Sequence, residues 1–147
     1  YCTEDRPRLP AALTTKALKL GGPSLALDAA CASSLYSVGL ACHYLHAGKA
    51  DLMLAGAVSA ADPFFINMGF SIFQAYPEDG KSCPLDQNSE GLFASEGAGM
   101  FMLKRLKDAQ KDGNRIHAVI RSVGWSNDGH GQFQEVSEKR TGKVLRK

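Results

Sequence analysis

Residues 24–58, SLALDAACASSLYSVGLACHYLHAGKADLMLAGAV, decide how the rest of the chain reads. Ser24 to Asp28 is short and mostly apolar, which predicts a buried strand. From Ala32 to Ala47 the apolar residues Leu35, Val38, Cys42 and Leu45 recur at helical spacing, and Leu40 and Ala41 widen the stripe, so a largely buried helix is expected. Gly48 follows it at a position that suits the left-handed residue closing a helix. Asp51 to Val58 predicts a second buried strand. Two strands joined by a helix run parallel, so the stretch reads as a βαβ unit.

Working outward, LPAALTTKALKL at 9–20 has helical spacing and is stopped by Gly21, Gly22 and Pro23. Downstream, Asp62 is placed as N-cap and Pro63 as first helical residue of a segment rich in aromatics: Phe64, Phe65, Phe70 and Phe73. A polar, turn-rich loop runs from Tyr76 to Glu90. Beyond it, Gly97 to Leu103 predicts a strand, Lys104 to Lys111 a short charged helix and Ile116 to Trp125 another strand. The order β-α-β-α-β-α-β implies an α/β layered fold.

The chain has 147 residues, 44% of them hydrophobic and 22% charged, enough to bury a core. Its formal charge of +2 is uneven. Phe133 to Lys147 carries five basic and two acidic residues, leaving the rest at −1. A nucleic-acid partner needs a basic stripe on the folded body, so none is expected. No apolar run reaches the roughly eighteen residues of a membrane span, and the opening YCTEDRPRLP lacks the order of a secretory signal, so neither membrane nor export is expected. The cysteines Cys2, Cys31, Cys42 and Cys83 lie far apart with no C-x-x-C pair, which predicts reduced thiols in a cytoplasmic protein and no zinc site. The absence of an initiator Met makes a piece of a longer protein the expectation.

Among these thiols Cys31 is the candidate nucleophile. It falls at the predicted strand-to-helix turn, DAACASSLYS, where the first amides of a helix are unsatisfied and the helix dipole favours a thiolate. A thiolate is the nucleophilic form of cysteine. Ala29, Ala30, Ala32, Ser33 and Ser34 are small and leave room for a substrate, and the Cys31 amide can donate to a developing oxyanion. The competing reading is a small core residue. Asp28 is read as an organiser of the turn, accepting backbone N–H groups, rather than as a general base. His43 and His46 lie roughly 18 and 22 Å along the helix from Cys31, out of its reach, and have no further ligands for a metal.

GPSLALDAACASS, then LAGAV, the GF of MGF and SEGAGMFMLKRL, in that order from about Leu13 to Gly129, resemble the β-ketoacyl synthase (condensing enzyme) family of the thiolase fold. The wording around ACHYLHAGKADLMLAGAVSAADPFFINMGFSIFQAYPEDG is most similar to ketosynthases of bacterial polyunsaturated fatty acid synthases and type I polyketide synthases. The resemblance implies an α/β/α/β/α layered parent fold, with this chain covering most of the nucleophile-bearing half. It implies that Cys31 accepts an acyl chain as a thioester from an acyl carrier protein through its phosphopantetheine arm, with no bound cofactor and no metal. A malonyl unit on the carrier is then decarboxylated, and its carbanion attacks that thioester in a Claisen condensation.

By the same resemblance Phe70 lines the acyl pocket, a role compatible with its being a core aromatic. Glu96, Gly97 and Gly99, with Asp28, support the site, the glycines by permitting close backbone packing and Glu96 through a pairing partner. Asn127, Asp128 and Gly129 match a family loop that turn formation alone also explains. The catalytic histidines of the family belong to HGTGT and NxGH motifs that this chain does not contain, and neither His117 nor His130 matches them. The chain alone is therefore expected not to turn over. Residues 1–131 read as the partial synthase domain, and 132–147 as an unmatched basic tail. The family implies a homodimer through the strand Ser24 to Asp28. The alternatives are a thiolase-type enzyme using acyl-coenzyme A, or a non-catalytic assembly module of the same fold. The presence of Cys31 argues against the latter, since chain-length-factor relatives lack the cysteine.

Overall fold

A computed structural model describes residues 10–60, 62 and 64–126. Pro63, the Asn127–Asp128–Gly129 loop, His130 and the basic tail lie outside the described residues. The chain divides into two compact units, with the break after Arg105. The first holds α1 (Ala11–Ala17), a 3-10 turn (Ala30–Ala32), α2 (Ser33–His46), β1 (Met53–Ser59), α3 (Phe65–Ile72) and β2 (Gly97–Leu103). The second holds α4 (Leu106–Lys111), closed by Gly113 at φ +66°.

The apolar run after Cys31 does form the long helix. Gly39, Ala41 and Leu45 make its buried stripe, and α2 packs mainly against β1. Ala41, Leu45 and Ala55 are the buried core of this unit among the described residues. Their small size lets helix and strand approach closely. Ser37 reinforces the contact: its Oγ lies 2.9 Å from the Gly56 carbonyl oxygen and 2.8 Å from that of Ser34, so one hydroxyl proton is shared between strand and helix. Gly48, at φ +66°, ends the helix, the Lys49 amide donating to the Tyr44 carbonyl at 3.0 Å.

Three expectations are corrected. β1 pairs antiparallel with β2, from Met53 opposite Leu103 to Ser59 opposite Gly97, in a two-stranded sheet; the parallel βαβ pairing is not formed. Ser24 to Asp28 joins no sheet, and neither does Ile116 to Trp125. A strand is held by a neighbour's backbone groups, and among the described residues neither β1 nor β2 pairs with either segment. The close backbone approach expected at Gly97 and Gly99 falls instead at Gly56. A Cβ there would collide with the Gly99 carbonyl oxygen and lie 2.7 Å from Met100 Sδ, whereas a Cβ at Gly97 or Gly99 meets nothing within 4 Å.

Asp62 holds the entry to the aromatic helix, which begins at Phe65 with Phe64 in the N-cap position, two residues later than the sequence predicts. Its carboxylate accepts the Phe64 amide at 3.0 Å and the Phe65 amide, and its carbonyl accepts the Ile66 amide at 3.1 Å. α3 packs against no other helix or strand of its unit, leaving Phe64, Phe65, Met68 and Ile72 exposed.

Arg105, just past β2, ties three segments together. Its Nη1 donates to the carbonyls of Leu45 at 2.9 Å and Ala50 at 2.8 Å, and its Nη2 to Asp51 Oδ1. The guanidinium thus covers the C-terminal end of α2, where the negative end of the helix dipole favours a cation. The Arg105 side chain is 29% exposed and that of Asp51 92%, so the carbonyl bonds outweigh the solvent-screened ion pair. Arg105→Ala is expected to lower stability by about 2 kcal/mol and Asp51→Ala by less than about 1 kcal/mol. Urea unfolding of the two variants checks the order, and equal losses would refute it.

Candidate active site

The residues around Cys31 form a tight turn leading into α2. Ala30 has φ +49°, a conformation in which an alanine Cβ is crowded, and two side chains hold it there. Asp28 Oδ1 accepts the Ala30 amide at 2.9 Å. Ser33 Oγ accepts the Ala29 amide at 2.9 Å and donates to the Ala30 carbonyl at 2.7 Å. The Ala32 amide closes the 3-10 turn onto the Ala29 carbonyl at 3.1 Å. Side-chain bonds of this local kind compensate backbone strain.

Cys31 sits in the middle of this turn with an exposed, unbridged side chain. Its amide makes no hydrogen bond among the described residues. An exposed thiol and an uncommitted amide therefore belong to the same residue. That combination suits attack on a thioester carbonyl, in which negative charge develops on oxygen as the new C–S bond forms. The other described cysteines are free as well, Cys42 half-buried on α2 and Cys83 exposed on the Tyr76–Glu90 loop.

The remaining candidates lie elsewhere. Phe70 is half-buried on α3, its ring 6.2 Å from that of Tyr76, which in turn stacks on Phe93 at 5.5 Å. The Tyr76 hydroxyl donates to Asn67 Oδ1 at 2.6 Å, and the Leu92 amide to the Ala75 carbonyl at 2.9 Å. Gly91 is required here, since a Cβ would collide with the Ala75 carbonyl oxygen. The cluster anchors the end of α3 to the segment entering β2. Because α3 packs on neither α2 nor the 3-10 turn, Phe70 is not joined to Cys31 by a contact between their elements. Glu96 is exposed at the start of β2 and forms no ion pair among the described residues. Among those residues no group of three His, Cys, Asp or Glu is placed to hold a metal ion, and no helix is long and apolar enough to cross a membrane.

Sequence reasoning missed two features of the turn, the positive φ of Ala30 and the two-way bonding of Ser33. A serine in the first turn of a helix is a familiar capping signal. Nothing at Ala30 marks its conformation, because glycine and asparagine are the residues that announce a positive φ.

The family described as beta-ketoacyl synthase, N-terminal domain, matches residues 2–109. The chain is 44% identical over 125 residues to a polyunsaturated fatty acid synthase polypeptide of Thraustochytrium, an alignment covering 83% of this chain and 6% of that protein. The solved PfaC keto synthase–chain length factor is similar with a TM-score of 0.67 at 69% identity, over 73% of this chain and 12% of that one. An oxazolomycin ketosynthase domain of Streptomyces albus gives a TM-score of 0.66 at 29% identity, over 77% of this chain and 20% of that one. The chain thus spans a small share of each relative's length.

The strained turn carries its own test. Ala30→Gly relieves the crowding and is expected to leave stability equal or raise it by up to about 1 kcal/mol. Ala30→Val adds a branched Cβ at positive φ and is expected to destabilise by more than that. Thermal melts of both variants check this, and a valine variant as stable as the glycine one would refute the strained geometry.

Proposed function

The chain belongs to the β-ketoacyl synthase family, with that family's α/β thiolase fold, and from this premise we propose that it forms the acyl-enzyme of a ketosynthase of the polyunsaturated fatty acid and polyketide type. Cys31 Sγ attacks the carbonyl of an acyl group carried on the phosphopantetheine arm of an acyl carrier protein. The carbonyl oxygen takes the charge and accepts from the Cys31 amide; collapse expels the carrier thiol and leaves the acyl group on Cys31. In the whole enzyme, decarboxylation of a carrier-bound malonyl unit then supplies the carbanion for condensation, using groups beyond those in this chain. The protein works in the cytoplasm and needs no bound cofactor or metal for the acylation step.

One observation carries the reading: an exposed cysteine with an uncommitted amide, in a braced turn at the start of a helix. Asp28 supports that turn directly. Gly97 and Gly99 act in β2, opposite Ser59 and Ala57 of β1, Glu96 supports the site just ahead of that strand, and Phe70 lines the acyl channel. Acyl transfer from a charged carrier protein, followed by peptide mass spectrometry, is expected to put the acyl mass on Cys31 and to give none in Cys31→Ala. Acyl mass on Cys42 or Cys83 would refute the assignment. Loading from acyl-coenzyme A in preference to the carrier protein would move it to the thiolase reading.

Two copies of the chain pair through the segment Ser24 to Asp28. Leu25, Ala26 and Leu27 make no hydrogen bond among the described residues, which leaves their backbone groups for a strand of a second copy. Light scattering is expected to give a dimer mass that Ala26→Pro, which removes a backbone donor at the pairing edge, reduces to the monomer. An unaltered dimer would count against this interface.

A further inference from the structure

The hydroxyl of Ser33 bridges the bend at Ala30, from the Asp28–Ala29 peptide group to the Ala30–Cys31 peptide group. It accepts the Ala29 amide at 2.9 Å and donates to the Ala30 carbonyl at 2.7 Å. On the other side, Asp28 Oδ1 takes the Ala30 amide. Three of the polar groups that could relax the turn are thereby engaged, and the Cys31 amide is the one left over. The Ala30 carbonyl belongs to the same peptide group as the Cys31 amide, and a peptide group is planar and rigid. Fixing that carbonyl fixes the direction in which the Cys31 N–H points.

We propose that Ser33 is a positioning residue for acyl transfer, its hydroxyl orienting the Ala30–Cys31 peptide so that the Cys31 amide is presented to the developing oxyanion. This rests on Cys31 being the acyl-accepting nucleophile. Ser33 touches neither substrate nor the reacting atoms and acts only through the peptide plane. The reaction it serves is balanced by the thiols alone: the Cys31 S–H proton leaves as the sulfur attacks, the acyl C–S bond to the donor breaks, and the departing thiolate takes up a proton.

The two kinds of chemistry open to Cys31 separate orientation from mere folding. Attack on a thioester builds charge on oxygen and needs the amide. Alkylation by iodoacetamide displaces iodide at a saturated carbon and builds no oxyanion. Ser33→Ala is therefore expected to slow acylation of Cys31 by an acyl-N-acetylcysteamine thioester by about tenfold or more, with alkylation of the same thiol changed by less than about twofold. Ser33→Thr keeps the hydroxyl and is expected to restore acylation, while the isosteric Ser33→Val is not. That pair also decides the matter if the alanine variant loses its helical circular dichroism.

Equal acylation in the threonine and valine variants, or a parallel loss of acylation and alkylation in the valine variant, would overturn the positioning role. An unsubstituted protein that takes no acyl mass on Cys31 while Cys31 still alkylates would instead overturn the proposed function, and this inference with it.

Discussion

The arrangement at Cys31 depends on holding one alanine where alanine is uncomfortable. Ala30 at φ +49° bends the chain sharply enough to bring Cys31 to the outside of the turn and the chain straight into α2. Left alone, such a residue would relax at a gain of about 1–2 kcal/mol. Asp28 and Ser33 prevent this by engaging the peptide groups on both sides. Each such bond is worth about 1 kcal/mol, so together they are enough to offset the strain.

A bent turn is useful only if the helix that follows it is itself fixed. α2 is fixed along its length and at its far end. Ala41 and Leu45 bury against β1 alongside Ala55, and Ser37 reaches the Gly56 carbonyl. Arg105 clasps the Leu45 carbonyl in the last turn of the helix together with the Ala50 carbonyl of the loop that enters β1. Gly56 lets β2 come close enough for Arg105 to arrive there, because any Cβ at that position would push β2 away. The line from Arg105 through the sheet and α2 to Cys31 therefore runs through contacts whose residue sizes are tightly constrained.

Much of this was legible along the chain, and the part that was not has a common cause. The long helix after Cys31, its closure at Gly48, the bonds of Asp62 at the entry to the aromatic helix and the strand at Gly97–Leu103 all rest on residues within a few positions of one another. Short-range rules recover such features. The partner of β1 and the bonds of Arg105 depend on residues 38 to 60 positions apart, as with Ser59 and Gly97 or Arg105 and Leu45. Apolar patterning reports that a segment can be a strand; it carries no information on which backbone lies beside it.

The sequence by itself determined the family and singled out Cys31 as the candidate nucleophile at the head of a helix, because the order of DAACASS, LAGAV and SEGAG and the local chemistry of a strand-like run followed by an apolar helical one need no tertiary partner to be read. Only the tertiary structure decided that β1 runs antiparallel to β2, that close approach is demanded at Gly56 rather than at Gly97 or Gly99, and that the Cys31 amide is left uncommitted while the groups around it are tied. Those are properties of distances between peptide groups, and a distance between peptide groups exists only once the chain has folded around Ala30 and brought Ser33 back across the bend.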